Sequence, residues 1–517
     1  TITITITITN YDYELRLRAR ETPICLLFTV HRSLPRRRRH FWYNGRQFRS
    51  GRSGGLKFHN TLTGRLDEFQ PLDPPRVKMY CCGPTVYNYA HIGNFRTFVF
   101  EDILNRYLRW RGYDVRYVMN VTDIDDKTIR DSAAAGMSLS AYTEKYTAAF
   151  FEDLAALRVL RPDVVCKATE HVPEMVALVE ALAAKGHTYA SDGSVYFKIG
   201  SFDEYGKLSK KDFGGIQSGA RVDSDEYDKE NARDFVLWKG RREGEPYWDT
   251  PFGPGRPGWH LECSAMSMKY LGESFDLHCG GADLVFPHHE NEIAQSEGAT
   301  GRPFVKYWLH SEYLIVNGEK MSKSKGNYFT LRDLLAKGYN PAAIRYLLLS
   351  VHYRKQLNFT EEGLRYAQAS LDRIHDFVDT LRRKHLPAGE SAEVTARCAA
   401  FRDAFQAGLD DDLNTSAALA ALFDFIRDIN RTLAEGGLAA GDRDRALAAV
   451  ADADRVLDVL PAAAAAGADA EVEALIAERA AARARKDWAA ADAARDKLKA
   501  LGVVIKDTPE GTVWRRE

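Results

Sequence analysis

At 517 residues the chain exceeds one ordinary domain, and three or four are expected. Its 45% hydrophobic and 28% charged residues suit a soluble globular protein, and a net charge of −1 excludes a whole-molecule field that would draw it to nucleic acid. No apolar run reaches the about 20 residues of a membrane helix, no signal peptide is visible, and seven scattered cysteines point to a reducing cytoplasm, with thiols free or on a metal.

Residues 1–55 differ from the rest. Thr1 to Thr9 alternates Thr and Ile, Arg36 to Arg39 is a basic run, and Ser50 to Gly55 is rich in Gly, Ser and Arg. A basic RNA-binding arm is one reading. A disordered or spurious N-terminal extension is the expectation, because the composition shifts abruptly at Leu56.

Val77 to Cys82 predicts a strand, and Gly83-Pro84-Thr85 a loop. Apolar residues from Phe95 to Trp110 recur at helical spacing, and Tyr113 to Val121 predicts a second strand. That β-loop-α-β unit opens a doubly wound, Rossmann-type α/β sheet. Residues 135–255 read as an insertion of helical and then mixed pattern. Phe275 to Leu277 and Tyr307 to Leu309 predict returning strands. From Leu331 the pattern is helical. Ala462 to Gly467 reads as a linker, Ala470 to about Leu501 as one helix, and Val503 to Ile505 as a strand.

Two loops suggest a nucleotide site. His91-Ile92-Gly93-Asn94 lies where a strand passes to a helix, where free N–H groups and the helix dipole favour phosphate. Glu319 to Asn327 places Lys320 and Lys323 among Met321, Ser322 and Ser324, before a Gly-Asn turn. Ammonium groups on a short loop stabilise charge as pyrophosphate leaves. A satisfied loop histidine and a solvated basic loop are the plain alternatives for each motif alone.

A metal site is the third candidate. His288 and Glu292 are four apart and share one face of a helix opened by Pro287. Cys263 lies upstream, and Cys82 ends the first strand. Cys81 and Cys82 point to opposite faces of that strand, so only one joins the site, and Cys82 is nearer the loop. Two Cys, a His and a Glu suit zinc. His289 fits almost as well with Glu292, and His278, Cys279 and Glu290 stay candidates. A capping Glu/His pair with buried structural cysteines is the alternative.

From about Leu56 onward the chain resembles the bacterial cysteinyl-tRNA synthetases, which are class I aminoacyl-tRNA synthetases. The resemblance rests on Cys82 to Tyr87, His91 to Asn94, Asn120 to Lys127, Gly258 to Cys263, Phe286 to Glu292, Lys320 to Ser324, Lys486 to Asp492 and Gly511 to Arg516. Asn94 departs from the class signature, which has a second histidine there. The resemblance implies a Rossmann-type catalytic domain in two halves (56–150 and 256–310) around a connective insertion (151–255). A loop and stem-contact region (311–385), a helical bundle (386–461) and a small anticodon-binding tail (470–517) follow.

It also implies one zinc ion per chain on Cys82, Cys263, His288 and Glu292. The amino-acid pocket would include Cys82 and Gly83, completed by Thr122, Trp259 and Asp283. His91, Gly93, Asn94 and Lys320 to Ser324 would hold ATP with Mg2+, with His91, Asn94, Lys320 and Lys323 acting in catalysis. Arg483, Trp488, Asp492 and Asp507 would read the anticodon, although Trp488 could equally be a packing anchor. The expected partners are tRNA(Cys), L-cysteine and ATP, in a cytoplasmic monomer that binds no membrane.

Shape alone separates isosteric substrates by only about 10–200-fold. A soft metal prefers sulfur to a hydroxyl, so cysteine can be told from serine without an editing domain. Two other readings remain open. One is a tRNA-independent cysteine:amino-sugar ligase of the mycothiol type, which lacks the tail. The other is a non-enzymatic, synthetase-derived RNA-binding module, which would not need both ATP motifs.

Overall fold

The computed structural model describes residues 55–211, 234–460, 466–508 and 511–516. The N-terminal extension expected for residues 1–55 lies outside them, apart from Gly55, as does most of the Ala462–Gly467 linker.

A hairpin of Lys57–Asn60 (β1) and Arg65–Glu68 (β2) leads into Arg76–Cys81 (β3). Ile92–Trp110 (α1) and Asp114–Val121 (β4) complete the first unit. Asp126–Ala134 (α2), Leu139–Ala156 (α3), Val164–Lys167 (β5) and Val172–Ala184 (α4) follow. Thr188–Ser191 (β6), Ser194–Phe197 (β7), Phe235–Gly240 (β8) and Gly255–Pro257 (β9) form a separate antiparallel sheet. The chain then returns through Trp259–Leu271 (α5), Phe275–Gly281 (β10), Glu290–Thr300 (α6) and Val305–Ser311 (β11).

The central sheet runs β11-β10-β3-β4-β5, parallel throughout. Its strands are buried on both faces, as a sheet covered by helices on both sides requires. Strand order reverses between β3 and β10. In a doubly wound sheet that point opens a crevice at the carboxyl ends of the strands, where ligands bind.

The expected doubly wound α/β class is the one observed. One strand was not foreseen: β5 joins the central sheet from inside the span read as insertion, pairing Val118 with Val164. It is only four residues long and lacks a strand-like alternation.

Leu314–Val316 (β12), Glu319–Lys320 (β13) and Leu357–Phe359 (β14) form a three-stranded sheet beside the catalytic one. Leu331–Ala336 (α7) and Pro341–Ser350 (α8) lie between β13 and β14. Glu361–Arg383 (α9), Ala392–Asp410 (α10), Thr415–Ala434 (α11) and Ala440–Leu457 (α12) make the bundle. One apolar cluster runs from Met79 and Phe95 of the catalytic unit to Phe401, Phe425 and Val456 of the bundle.

The tail contains two helices instead of the expected one, Ala466–Ala484 (α13) and Trp488–Ala500 (α14). The break falls where Lys486 takes a left-handed φ of 57° and the Asp487 carboxylate caps α14 through the Ala490 N–H. Val503–Thr508 (β15) and Gly511–Arg516 (β16) close the tail as a hairpin. No helix among the described residues is long and apolar enough to cross a membrane.

Candidate metal centre and nucleotide loop

Cys82 leaves β3 at the crevice, and Cys263 lies on α5. His288 belongs to a wide turn, Val285–His289, and Glu292 to the start of α6. The regular helix therefore begins at Glu290, later than Pro287 suggested. The four ligand atoms are buried and lie within 4.8 Å of one another. Cys82 Sγ is 3.8 Å from Cys263 Sγ, and His288 Nε2 is 3.1 Å from Glu292 Oε1. A tetrahedral ion with bonds of about 2.0–2.3 Å needs ligand separations of about 3.3–3.8 Å. The donor set therefore suits a soft metal ion such as zinc in chemistry, with the thiol pair inside that range and the His288–Glu292 pair slightly closer.

A second set shares two of these residues. Cys82, His278, His289 and Glu292 also converge within 4.8 Å. His289 Nε2 is 3.3 Å from Cys82 Sγ, and His278 Nε2 is 2.9 Å from Glu292 Oε2. The first set alone brings two thiols together, which a soft ion favours. In it, His288 is oriented by a 2.8 Å contact between its Nδ1 and His260 Nδ1. In the second, His289 Nδ1 meets His310 Nε2 at 2.7 Å.

Glu290 belongs to neither set, because its carboxylate accepts the N–H groups of Gly206 and Ser209 at 3.0 and 2.7 Å. Cys279 also lies outside both; it pairs with Cys81 across β3 and β10.

The charges within the cluster depend on one another. Burial pushes the Cys82 thiol well above its ordinary range, and Cys263 and Glu292 add to that. Burial opposes ionisation of Cys263, but Cys82 and His288 draw it down to about 6. Burial disfavours charge on His288, while Cys263 and Glu292 raise it to about 10. Burial likewise disfavours the Glu292 carboxylate, yet His278 and His288 hold it at about 2. Anionic groups this deep require a compensating cation, the condition under which a metal couples to a fold.

Of the predicted pocket residues, Trp259 touches the cluster directly. The Trp259 ring lies 4.2 Å from the His288 ring. Thr122 follows β4, is buried, and donates to Glu262 Oε2 at 2.8 Å. Gly83 N–H donates to Asn120 Oδ1 at 2.8 Å. Asp283 sits on an exposed turn just past β10, and no contact between it and the cluster is seen among the described residues. Glu262, His260 and His310 were missed from the sequence. Glu262 was inside a quoted motif, but helix position alone gave it no distinguishing signal.

The two nucleotide motifs meet. His91 is the N-cap of α1; its Nδ1 accepts the Asn94 N–H at 3.1 Å, and Asn94 Oδ1 accepts the His91 N–H at 3.1 Å. Acceptance at Nδ1 leaves the neutral ring's proton on Nε2, a donor. The side-chain oxygen of Asn94 is engaged in the cap, which the sequence reading did not foresee. A Cβ on Gly93 would lie 3.3 Å from Met321 Cε. Ile92 N–H donates to Phe329 O at 3.0 Å. The lysine loop is itself ordered by Asn327, which accepts the Ser322 N–H at 2.8 Å and donates to Lys320 O at 3.2 Å. Lys320 is exposed on β13, and Lys323 lies in the following turn.

In the tail, Trp488 is 62% exposed at the start of α14. A side chain so exposed is at odds with the packing-anchor alternative. Arg483 pairs with Asp507. Asp507 also accepts from Arg479 at 2.8 and 2.9 Å and from Thr512 at 2.7 Å. Its carboxylate joins α13 to the hairpin, so base contacts would have to compete with these bonds. Asp492 lies on α14 beside them.

Residues 68–369 match the tRNA synthetases class I (C) catalytic domain, residues 404–460 the DALR domain, and residues 465–515 the cysteinyl-tRNA ligase anticodon binding domain. A cysteine–tRNA ligase of Solibacter usitatus (strain Ellin6076) is 54% identical over 464 residues, covering 89% of this chain and 100% of that protein. One of Brachyspira hyodysenteriae is 48% identical over 478 residues, covering 89% and 99%. Among solved structures, a Mycobacterium tuberculosis methionyl-tRNA synthetase in complex with methionyl-adenylate aligns with a TM-score of 0.54 at 17% identity. That alignment spans 74% of this chain and 90% of the other, and is a likeness of fold.

Proposed function

The chain belongs to the cysteine–tRNA ligases among the class I aminoacyl-tRNA synthetases, and on that premise we propose that it joins L-cysteine to tRNA(Cys) through a cysteinyl-adenylate, with Cys82, Cys263, His288 and Glu292 holding one zinc ion. The observation that carries this reading is one shared edge. The buried thiol–imidazole–carboxylate cluster and the joined loops at Gly93 and Met321 both lie at the carboxyl edge of the central sheet.

When bound, zinc supplies a soft Lewis acid that prefers a thiolate to a hydroxyl. Trp259, whose ring lies tilted against that of His288, and Thr122, held by Glu262, are the proposed walls of the substrate position. Asp283 is the carboxylate proposed to pair the substrate ammonium. The cysteine carboxylate attacks the α-phosphorus of ATP, which enters with Mg2+, and the bond to pyrophosphate breaks. His91 donates from Nε2, and Lys320 and Lys323 approach on their loop, so charge developing on the phosphates meets donors already in place. A ribose hydroxyl at the end of tRNA then attacks the carbonyl, and AMP leaves. Trp488, Arg483, Asp492 and Asp507 are the proposed anticodon contacts, through stacking and polar edges.

The tail match over residues 465–515 argues against an amino-sugar ligase. Charging of tRNA(Cys) with each amino acid in turn tests the proposal. Cysteine alone should be esterified, and Lys320→Ala should slow adenylate formation at least about tenfold, the loss expected when a transition-state charge partner is removed. Equal charging with serine, or no charging at all, would refute it.

A further inference from the structure

Residues 312–330, which carry Lys320 and Lys323, leave the central sheet after β11 and return at Thr330, the N-cap of α7. The first two turns of α1 hold both stems. At the returning stem, Ile92 N–H donates to Phe329 O at 3.0 Å, and His91 bridges to Thr330. At the departing stem, Thr97 Oγ1 and Ser311 Oγ are 2.7 Å apart.

Arg96 adds a tie at the departing stem and joins it to two flanking segments. Its side chain is buried at 2% exposure. Nε donates to Glu312 O at 3.2 Å, Nη1 to Leu348 O at 3.2 Å, and Nη2 to His352 O at 3.1 Å and to Lys355 O. These carbonyls come from the end of β11, from α8 and from the loop before β14. The planar guanidinium fork satisfies acceptors from three segments at once, which the single ammonium of lysine cannot do. Burying a guanidinium whose hydrogen bonds all go to main-chain carbonyls, with the Glu312 carboxylate as a charged neighbour, is still expensive. The arrangement is explained if these segments must hold a fixed distance from the α1 N-terminus.

We propose that Arg96 is a positioning residue for the nucleotide loop. It sets the hinge from which residues 312–330 close on ATP bound at His91 and Asn94. This rests on the reading of Lys320 to Ser324 as the ATP loop.

The test compares Arg96→Lys with Arg345→Lys. Arg345 is equally buried and donates to Leu457 O at 2.7 Å, Leu157 O at 3.0 Å and Asp102 Oδ2 at 2.6 Å, none of which belongs to residues 312–330. Two readouts are taken: cysteine-dependent ATP–pyrophosphate exchange, and trypsin cleavage after Lys320, Lys323 and Lys325 followed by mass spectrometry with and without ATP.

Arg96→Lys should lower kcat for exchange about tenfold to a hundredfold, as misplacement of a reacting group does. Its cysteine KM and zinc content should stay near wild type, and loop cleavage should quicken and lose protection by ATP. Arg345→Lys should lower thermal stability without moving kcat or the cleavage pattern. If the two variants behave alike, the proposal is overturned. Should Arg96→Lys fail to fold, Thr97→Val removes the neighbouring tie, and unchanged loop cleavage in that variant would overturn it too. Normal exchange in Lys320→Ala would instead defeat the ATP-loop reading, and the cleavage result would still judge the hinge.

Discussion

Gly83 and Gly93 sit in the same crossover from β3 to α1 but require glycine for different reasons. A Cβ at Gly83 would lie 1.7 Å from the backbone oxygen of Asn120, which cannot yield without moving β4. A Cβ at Gly93 would meet the His91 ring at 3.0 Å and the flexible end of Met321 at 3.3 Å. Gly83→Ala should therefore cost about 3 kcal/mol in urea unfolding, near the upper end for overpacking. Gly93→Ala should cost under about 1 kcal/mol, yet slow pyrophosphate exchange by separating the two loops. Equal stability losses would contradict this account. At this scale the sequence was informative where geometry is local. Strand alternation allowed only one of Cys81 and Cys82 to join the site and nearness to the loop chose Cys82, while an i, i+4 spacing paired His288 with Glu292 across the wide turn. His260, Glu262 and His310 were not legible, because their roles depend on contacts made across 21 to 140 positions of chain.

Elements were legible where a period ran long. The β3-α1-β4 unit lies within a few residues of its expected bounds, since Phe98, Val99, Ile103, Leu104 and Leu108 recur at helical spacing along α1, although the helix is buried on nearly every side. The tail misled because Ala- and Arg-rich sequence favours helix throughout and hid a short break. The signal was Asp487, an N-cap residue before an apolar face. Asp487→Ala should cost the tail about 1 kcal/mol. Hydrogen exchange should show the amides of the first turn of α14 opening faster, Ala490 above all. Unchanged exchange at Ala490 would mean the cap does not hold that end. The late start of α6 has a related cause, since the wide turn at Val285–His289 places both histidines inward before the regular helix begins.

At the scale of the molecule, the switch between β3 and β10 places Cys82, Thr122 and the α1 N-terminus at one edge of the sheet. That convergence followed from the order of strands, which the sequence could suggest but not order fully, because β5 came from the insertion. The bundle shares its apolar core with the catalytic unit, and buried Arg345 ties α8 to α1 through Asp102. Such sharing is invisible to composition, since both sides read simply as helical. The account centres on a soft ion that recognises sulfur beside the ATP cradle. Its most direct test is the ratio of kcat/KM for cysteine over serine in pyrophosphate exchange, measured for the native protein and for Cys263→Ser at known zinc content. Native protein should prefer cysteine far beyond the about 200-fold that shape allows, and Cys263→Ser should lose both zinc and that preference. A variant that loses its zinc and still rejects serine as strongly would contradict the account.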